Sequence, residues 1–314
     1  MGLLIRGVWY EDSQIRASKD GSWKRSASIL RNWITRDGAN GFKAEVGRYH
    51  LYAAWNCPWA HRALIFRKLK QLEDIISVSY VLPRRNSQGW VFEPGSEFQD
   101  DLFKYTALHQ IYTRGYSKYT GRVTVPVLWD RQTKTIVSNE SADIIRMFNR
   151  AFVDIAPKTP DYVPEFLKSE IDTWNQRIYS AVNNGVYKAG FATTQEAYEK
   201  AVYPLFATFD AIEEQLSKSC YLIGDQPLEA DWRLFPTLVR FDVAYYGAFK
   251  CNLKKLIDYP NLWSYTRRLY LFSGISETVK LDISRKGYYA LSQLRNPFGI
   301  LPIIPSYILY AQNS

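Results

Sequence analysis

Apolar residues recur along the chain in blocks with either strand or helix spacing. Residues 1–47 are mixed and polar, with Gly21, Gly38, Gly41 and Gly47 as punctuation, and read as an irregular arm with one short helix around Ser26 to Thr35. Regular structure is expected from Arg48 to Ala54, a strand-like run of aromatic and aliphatic residues. Pro58 stands where a helix opens, and Ala63, Leu64, Phe66 and Leu69 give Ala60 to Lys70 helical spacing. A second strand follows at Ile75 to Val81. After a polar insertion containing Gly89 and Gly95, Asp101 to Tyr112 is expected to be helical. Val123 to Trp129 and Lys134 to Val137 read as two strands joined by a turn through Asp130, and Ser138 starts a helix to about Asn149. This order of strands and helices defines a small α/β unit.

A proline-bearing linker, Pro157 to Pro164, precedes a helix-rich remainder. Helical patterning covers Phe166 to Val182, Thr194 to Leu216, Asp231 to Phe241 and Trp263 to Leu271. From about Leu281 the tail reads as irregular, with Pro297, Pro302 and Pro305. With 314 residues the chain has room for two domains. The expected division is an arm (1–47), an α/β domain (48–150), a linker (151–164), an all-α domain (165–280) and a C-terminal extension (281–314).

Composition narrows the function classes. Hydrophobic content of 46% and charge of 23% are ordinary globular values, which argues against wholesale disorder. Aromatic residues reach 16%, enough to supply large core residues and also flat walls for a ring-shaped ligand. The formal charge of +9 is spread in short basic groups such as Arg67-Lys68 and Arg84-Arg85 among acidic residues. No helix-turn-helix, zinc-finger or RNA-binding signature accompanies it, so no nucleic-acid partner is expected, only a bias toward small anions. Cys57, Cys220 and Cys251 are too few and too dispersed for a disulfide framework, which fits a reducing compartment. No signal-peptide core or membrane-spanning apolar run is present, so a cytoplasmic protein without a membrane partner is expected. His50, His61 and His109 lack metal-ligand spacing, and no metal is expected.

The chemistry concentrates at Trp55-Asn56-Cys57-Pro58-Trp59-Ala60-His61-Arg62. A cysteine is placed after a strand and at the first turn of a helix, where backbone N–H groups and the helix dipole favour negative charge. Such settings lower a thiol pKa from about 8.5 into the range of roughly 3.5–7.5, whereas a lone cysteine without them is usually buried and inert. Cys220 and Cys251 have no such setting. The position three after Cys57 is Ala60, not a second cysteine. A mixed disulfide at Cys57 therefore needs an external thiol to resolve it, and glutathione is the abundant candidate.

Two further elements point the same way. Pro126 opens what otherwise reads as a strand; either it marks an edge, or a cis bond turns the Val125 backbone toward a peptide ligand. Ser138-Asn139-Glu140-Ser141 opens a helix whose N–H groups suit a carboxylate and whose Glu140 suits an ammonium, although ordinary capping needs the same residues.

With these features in place, the chain resembles the Xi-class glutathione transferases, the glutathionyl-hydroquinone reductases. The resemblance runs through Arg25-Ser26-Ala27-Ser28, Asn56 to Arg62, Gly121 to Trp129, Val137 to Ala142 and Asn183 to Phe191. It implies a thioredoxin-like glutathione-binding domain followed by a helical domain, and a homodimer. It implies Cys57 as the nucleophile, and Trp90, Arg122, Val125, Glu140 and Ser141 as the residues that hold glutathione. Tyr187 and Tyr288, or Tyr289 if the register is shifted by one, would contact the hydroquinone. One departure stands out: at Leu228-Glu229-Ala230-Asp231 the family's helix-capping hydroxyl is replaced by leucine. The expected activity is glutathione-dependent reduction of glutathionyl-hydroquinones through a Cys57–glutathione disulfide. The alternatives are an omega-like thioltransferase or dehydroascorbate reductase, and a non-catalytic ligand-binding module of the same fold.

Overall fold

In the computed structural model, which describes residues 2–11, 17–290 and 296–308, the chain forms two compact units. One comprises Met1–Ile15 and Ser26–Asp161, the other Arg16–Arg25 and Tyr162–Ser314.

The first unit opens with a hairpin, β1 (Leu3–Ile5) and β2 (Val8–Tyr10), closed by Arg6-Gly7 with φ of 49° and 82°. Two consecutive positive φ values define the primed turn whose twist suits a two-residue hairpin loop. The main sheet combines β3 (Tyr49–Ala53) and β4 (Ser77–Tyr80), a parallel pair connected through helix α1 (Pro58–Leu69). A small hairpin, β5 (Arg85–Asn86) with β6 (Gly89–Trp90), leads to α2 (Leu108–Gly115) and β7 (Gly121–Arg122), which pairs with β1. Then β8 (Val127–Asp130), β9 (Thr135–Ser138) and α3 (Ser141–Arg150) complete the unit. The main sheet has the order β4-β3-β8-β9, with β3–β8 and β8–β9 antiparallel. All five residues of β3 are buried, as a central strand covered on both faces requires.

Several elements depart from the sequence pattern. Ser26 to Thr35 is extended, not helical. Leu30 and Ile34 are both buried, and their four-residue spacing imitates a helix. Their segment instead lies along β9, with Asn32 N–H donating to Val137 O at 2.9 Å and Asn139 N–H to Leu30 O at 3.0 Å. Arg31 clamps it further through two 2.7 Å hydrogen bonds to the Asp143 carboxylate. Regular structure thus precedes Arg48.

The helix expected at Asp101 to Tyr112 begins only at Leu108. Buried Asp100 accepts from the amides of Leu102, Phe103 and Tyr105 at 3.0–3.2 Å and from Tyr52 Oη at 3.0 Å, which holds the preceding residues in turns. The strand expected from Val123 begins at Val127, after a cis Val125–Pro126 peptide. Ser138 closes β9 instead of opening α3.

The second unit is all-helical. It runs through α4 (Lys168–Arg177), a π-helical turn (Ile178–Asn183), α5 (Gly185–Phe191) and α6 (Gln195–Leu216), the last capped by Thr194. Then come α7 (Glu229–Leu238), a second π-helical turn (Phe241–Tyr245) continuing into α8 (Tyr246–Ala248), and α9 (Pro260–Tyr270). The tail that reads as irregular carries a final helix, α10 (Leu281–Tyr289), packed against the second π-helical turn. Residues 291–295 and 309–314 of that tail lie outside the described residues.

Leu228 occupies the α7 N-cap without a hydroxyl, yet half of the cap survives. Buried Asp231 reaches back to Leu228 N at 2.8 Å, and also accepts from Leu222 N at 3.0 Å and Tyr265 Oη at 2.7 Å. Among the described residues no helix is long and apolar enough to cross a membrane.

Candidate active site

Cys57 is the N-cap of α1, with extended backbone (φ −87°, ψ 116°) and Pro58 at the first helical position. Its amide donates to Ala54 O at 3.0 Å and its carbonyl accepts from His61 N at 2.9 Å, so the residue is held where β3 passes into α1. Pro58 costs no hydrogen bond there, because first-turn amides have no intrahelical acceptor. The remaining first-turn amides and the helix dipole converge on the end where Sγ sits. The flanking residues are fixed: Asn56 Nδ2 donates to Pro83 O at 2.6 Å, and the Trp55 ring stacks on Tyr80 at 4.2 Å.

The thiol is half-buried and donates to Val125 O at 3.5 Å. Cys57 and Val125, 68 residues apart, are thus neighbours, and the second lies in the cis Val125–Pro126 peptide. Ala60 is buried one turn further on, where a resolving thiol would stand. Cys220 is exposed and Cys251 buried; burial pushes the Cys251 thiol well above its usual range.

A single phenol ties this loop to the start of α3. Tyr112 Oη donates to Thr124 O at 2.8 Å and accepts from Thr124 N at 3.3 Å and Asn139 Nδ2 at 3.2 Å. Asn139 immediately precedes Glu140 and Ser141. Glu140 is the α3 N-cap, its carboxylate accepting from Ala142 N at 3.0 Å and from Ser141 Oγ at 3.5 Å. The two residues therefore stand together at the positive end of a ten-residue helix. Nothing in the sequence pattern marked Tyr112, because it acts through the Thr124 backbone and the Asn139 side chain, both distant in sequence.

Trp90 and Arg122 belong to separate small sheets, β5–β6 and β2–β1–β7. The buried Trp90 ring is covered by the Arg85 guanidinium, whose carbon lies 4.4 Å from the ring centroid. Arg122 is half-buried opposite Leu3, with its carbonyl accepting from Tyr119 Oη at 3.1 Å.

In the second unit, Tyr187 of α5 and Tyr288 of α10 meet through their hydroxyls at 2.6 Å. Tyr245, at the end of the second π-helical turn, joins them with its hydroxyl 2.8 Å from that of Tyr288. The rings of Tyr187 and Tyr288 each lie 5.4 Å from Phe249. Burial, followed by the charge of neighbouring phenols, pushes Tyr245 and Tyr288 well above the usual tyrosine range, so both remain proton donors at neutral pH. Tyr289 points elsewhere, its hydroxyl packing over Gly247. Tyr245 escaped the sequence reading because it sits in an aromatic-rich stretch that resembles ordinary core.

Among the described residues no group of three or more His, Cys, Asp or Glu side chains gathers in a way that could hold a metal ion.

Comparison with known proteins agrees with this geometry. Residues 56–151 match the glutathione S-transferase N-terminal domain and residues 195–268 the C-terminal domain. The glutathionyl-hydroquinone reductase YqjG of Escherichia coli is 50% identical, covering 97% of this chain and 95% of its own. The glutathionyl-hydroquinone reductase PcpF of Sphingobium chlorophenolicum is 48% identical, covering 98% and 97%. The glutathione-bound structure of YqjG superposes with a TM-score of 0.89 at 47% identity, covering 97% and 96% of the two chains. The glutathione S-transferase Xi of Phanerochaete chrysosporium superposes with a TM-score of 0.90 at 46% identity, covering 95% and 98%. The chain belongs to the glutathione transferase family, in its Xi class of glutathionyl-hydroquinone reductases. Its fold is the thioredoxin-like domain followed by the helical domain of that family.

Proposed function

We propose that the protein reduces glutathionyl-hydroquinones to hydroquinones at the expense of glutathione, with Cys57 as the nucleophile. The observation that carries this reading is a lone sulfur at the opening of α1, with Ala60 in the place of a resolving thiol. The near full-length likeness to two glutathionyl-hydroquinone reductases supports the choice of substrate.

In the reaction, the Cys57 thiolate attacks the glutathione sulfur of the thioether. The sulfur–ring bond breaks, its electron pair passes to the ring, and the ring carbon takes up a proton. The ring is reduced, and Cys57 is left in a disulfide with glutathione. A second glutathione thiolate attacks that disulfide, releasing oxidised glutathione and the Cys57 thiolate. The ring departs more readily from its keto tautomer, and hydroxyl donors at the ring oxygens stabilise charge developing there. Tyr187 and Tyr288 are assigned that role, which suits Tyr288 as a phenol kept protonated by burial.

Glutathione is assigned to the first unit. The Val125 backbone pairs with its peptide, and Ser141 with the first α3 amides takes a carboxylate. Glu140 meets its ammonium, while Trp90 and Arg122 border the site. The working boundaries for the glutathione-binding and helical domains are 48–150 and 165–280. The protein is further taken to act as a cytoplasmic homodimer.

Turnover with a panel of glutathionylated hydroquinones, measured beside a small glutathione mixed disulfide and a conjugation reaction with an aryl halide, tests the reading. Thioether reduction should dominate. Accumulation of aryl conjugates at a comparable rate would overturn it, and activity confined to disulfides would reassign the protein as a thioltransferase.

A further inference from the structure

Residues 17–25 belong to the helical unit, where they form a strap pinned at the start of α6. Thr193 N donates to Gly21 O at 3.1 Å, and Thr194 Oγ1 to Asp20 O at 3.1 Å. Gly21 adopts φ +80°, and a Cβ there would fall 2.5 Å from Thr194 Oγ1, so only glycine allows this approach. The strap sets Trp23 against two rings of α5. It stacks on Tyr187 with centroids 5.9 Å apart and lies 5.5 Å from Phe191.

Two residues later, the Arg25 guanidinium carbon lies 4.9 Å from the Trp23 ring centroid and 4.9 Å from that of Tyr187. Its Nε donates to Asn184 Oδ1 at 2.8 Å. Asn184 is buried and stands three residues before Tyr187, where the two side chains share a helix face. A permanent charge is therefore locked against the π-face of the phenol that heads the chain Tyr187–Tyr288–Tyr245.

We propose that Arg25 is a positioning residue for thioether reduction that acts through Tyr187. The proposal rests on the hydroquinone reading given above. As Tyr187 donates to the departing ring, negative charge builds on its own oxygen. The adjacent guanidinium then attracts it more strongly than in the ground state, which is the condition for lowering a barrier. Arginine suits the place because its planar fork can lie along two rings and still donate to Asn184, which a lysine ammonium cannot do.

The test uses the full chain with Arg25→Met and Arg25→Lys. Arg25→Met should lower kcat on a glutathionyl-hydroquinone roughly 10- to 100-fold, the scale of a lost electrostatic contact. KM should stay near the wild-type value. The loss should grow as the ring carries more electron-donating substituents, which raise the demand on the donor. Arg25→Lys should recover only part of kcat, since the charge remains but the planar fork that fixes its place is lost. Reduction of a small glutathione mixed disulfide needs no ring stabilisation and should match wild type in both variants, which also shows that they are folded. An unchanged kcat in Arg25→Met would overturn the proposal. Equal losses on thioether and disulfide, or Arg25→Lys no better than Arg25→Met, would reduce Arg25 to a strut for the strap. A wild-type enzyme inert toward thioethers would instead overturn the hydroquinone reading itself.

Discussion

The hydroxyls of Tyr187 and Tyr288 lie 2.6 Å apart although 101 residues separate them in sequence. At that distance one of the two must donate to the other, so each sets the direction in which its partner's proton points. Removing either hydroxyl leaves the other misoriented. Tyr187→Phe and Tyr288→Phe should each slow thioether reduction about 100- to 1,000-fold, equivalent to roughly 2.7–4 kcal/mol. The double variant should be little worse than either single one, because the pair acts as a unit. Mixed-disulfide reduction should change little. Steady-state kinetics of the three variants on both substrates checks this; additive losses would mean the hydroxyls act separately.

Cys57→Ser should abolish turnover of thioethers and mixed disulfides while leaving glutathione binding, measured calorimetrically, near wild type. Its place at the opening of α1 predicts that it is alkylated at lower pH than the other thiols. Cys251, buried and pushed well above the usual range, should resist alkylation in the folded protein. Peptide mapping after labelling across a pH series reads both outcomes.

His50 gives a pH-dependent stability. Its ring is buried in β3 with Nδ1 2.7 Å from Ser77 Oγ and Nε2 3.0 Å from Ser79 Oγ. Burial, with smaller contributions from Arg131 and Arg67, lowers its pKa to about 3 from an ordinary 6.5. The unfolded chain takes up this proton below pH 6.5, whereas the folded protein resists it until about pH 3. Stability present above pH 6.5 is therefore lost as the pH falls toward 3. Between those limits one proton contributes about 1.4 kcal/mol per pH unit. Urea unfolding across pH should show that contribution, and His50→Gln should remove it even if the variant is less stable throughout.

Asp231 supplies the half of the α7 cap that does not depend on the missing hydroxyl. Its carboxylate joins Leu222 N, Leu228 N and Tyr265 Oη, three donors from three segments of the helical unit. Asp231→Ala would leave them buried without an acceptor and should cost about 3–5 kcal/mol. Restoring the lost hydroxyl with Leu228→Ser should move stability by no more than about 1 kcal/mol, since the Asp231 amide from which it would accept already donates to Leu228 O at 3.1 Å. Denaturant titration of both variants separates the two contributions.

Much of this protein is written locally. The strand-helix-strand order around Cys57, the helix from Thr194 to Leu216 and the cysteine-proline pair at a helix start all rest on interactions within a few residues. Periodicity and helix-end chemistry therefore report them directly. The tertiary structure decided the rest, wherever a distant partner outbid a local preference. Leu30 and Ile34 have helical spacing, but the exposed edge of β9 took their segment as an extended neighbour. Asp100 gathered amides that would otherwise have begun a helix at Asp101. Leu281 to Tyr289 carries a weak pattern with a glycine inside it, and packing against the Phe241–Tyr245 turn made it a helix. The tyrosine cluster belongs to this second group. No local rule links Tyr187, Tyr245 and Tyr288, because a hydrogen bond between side chains from three helical segments exists only once those segments have packed.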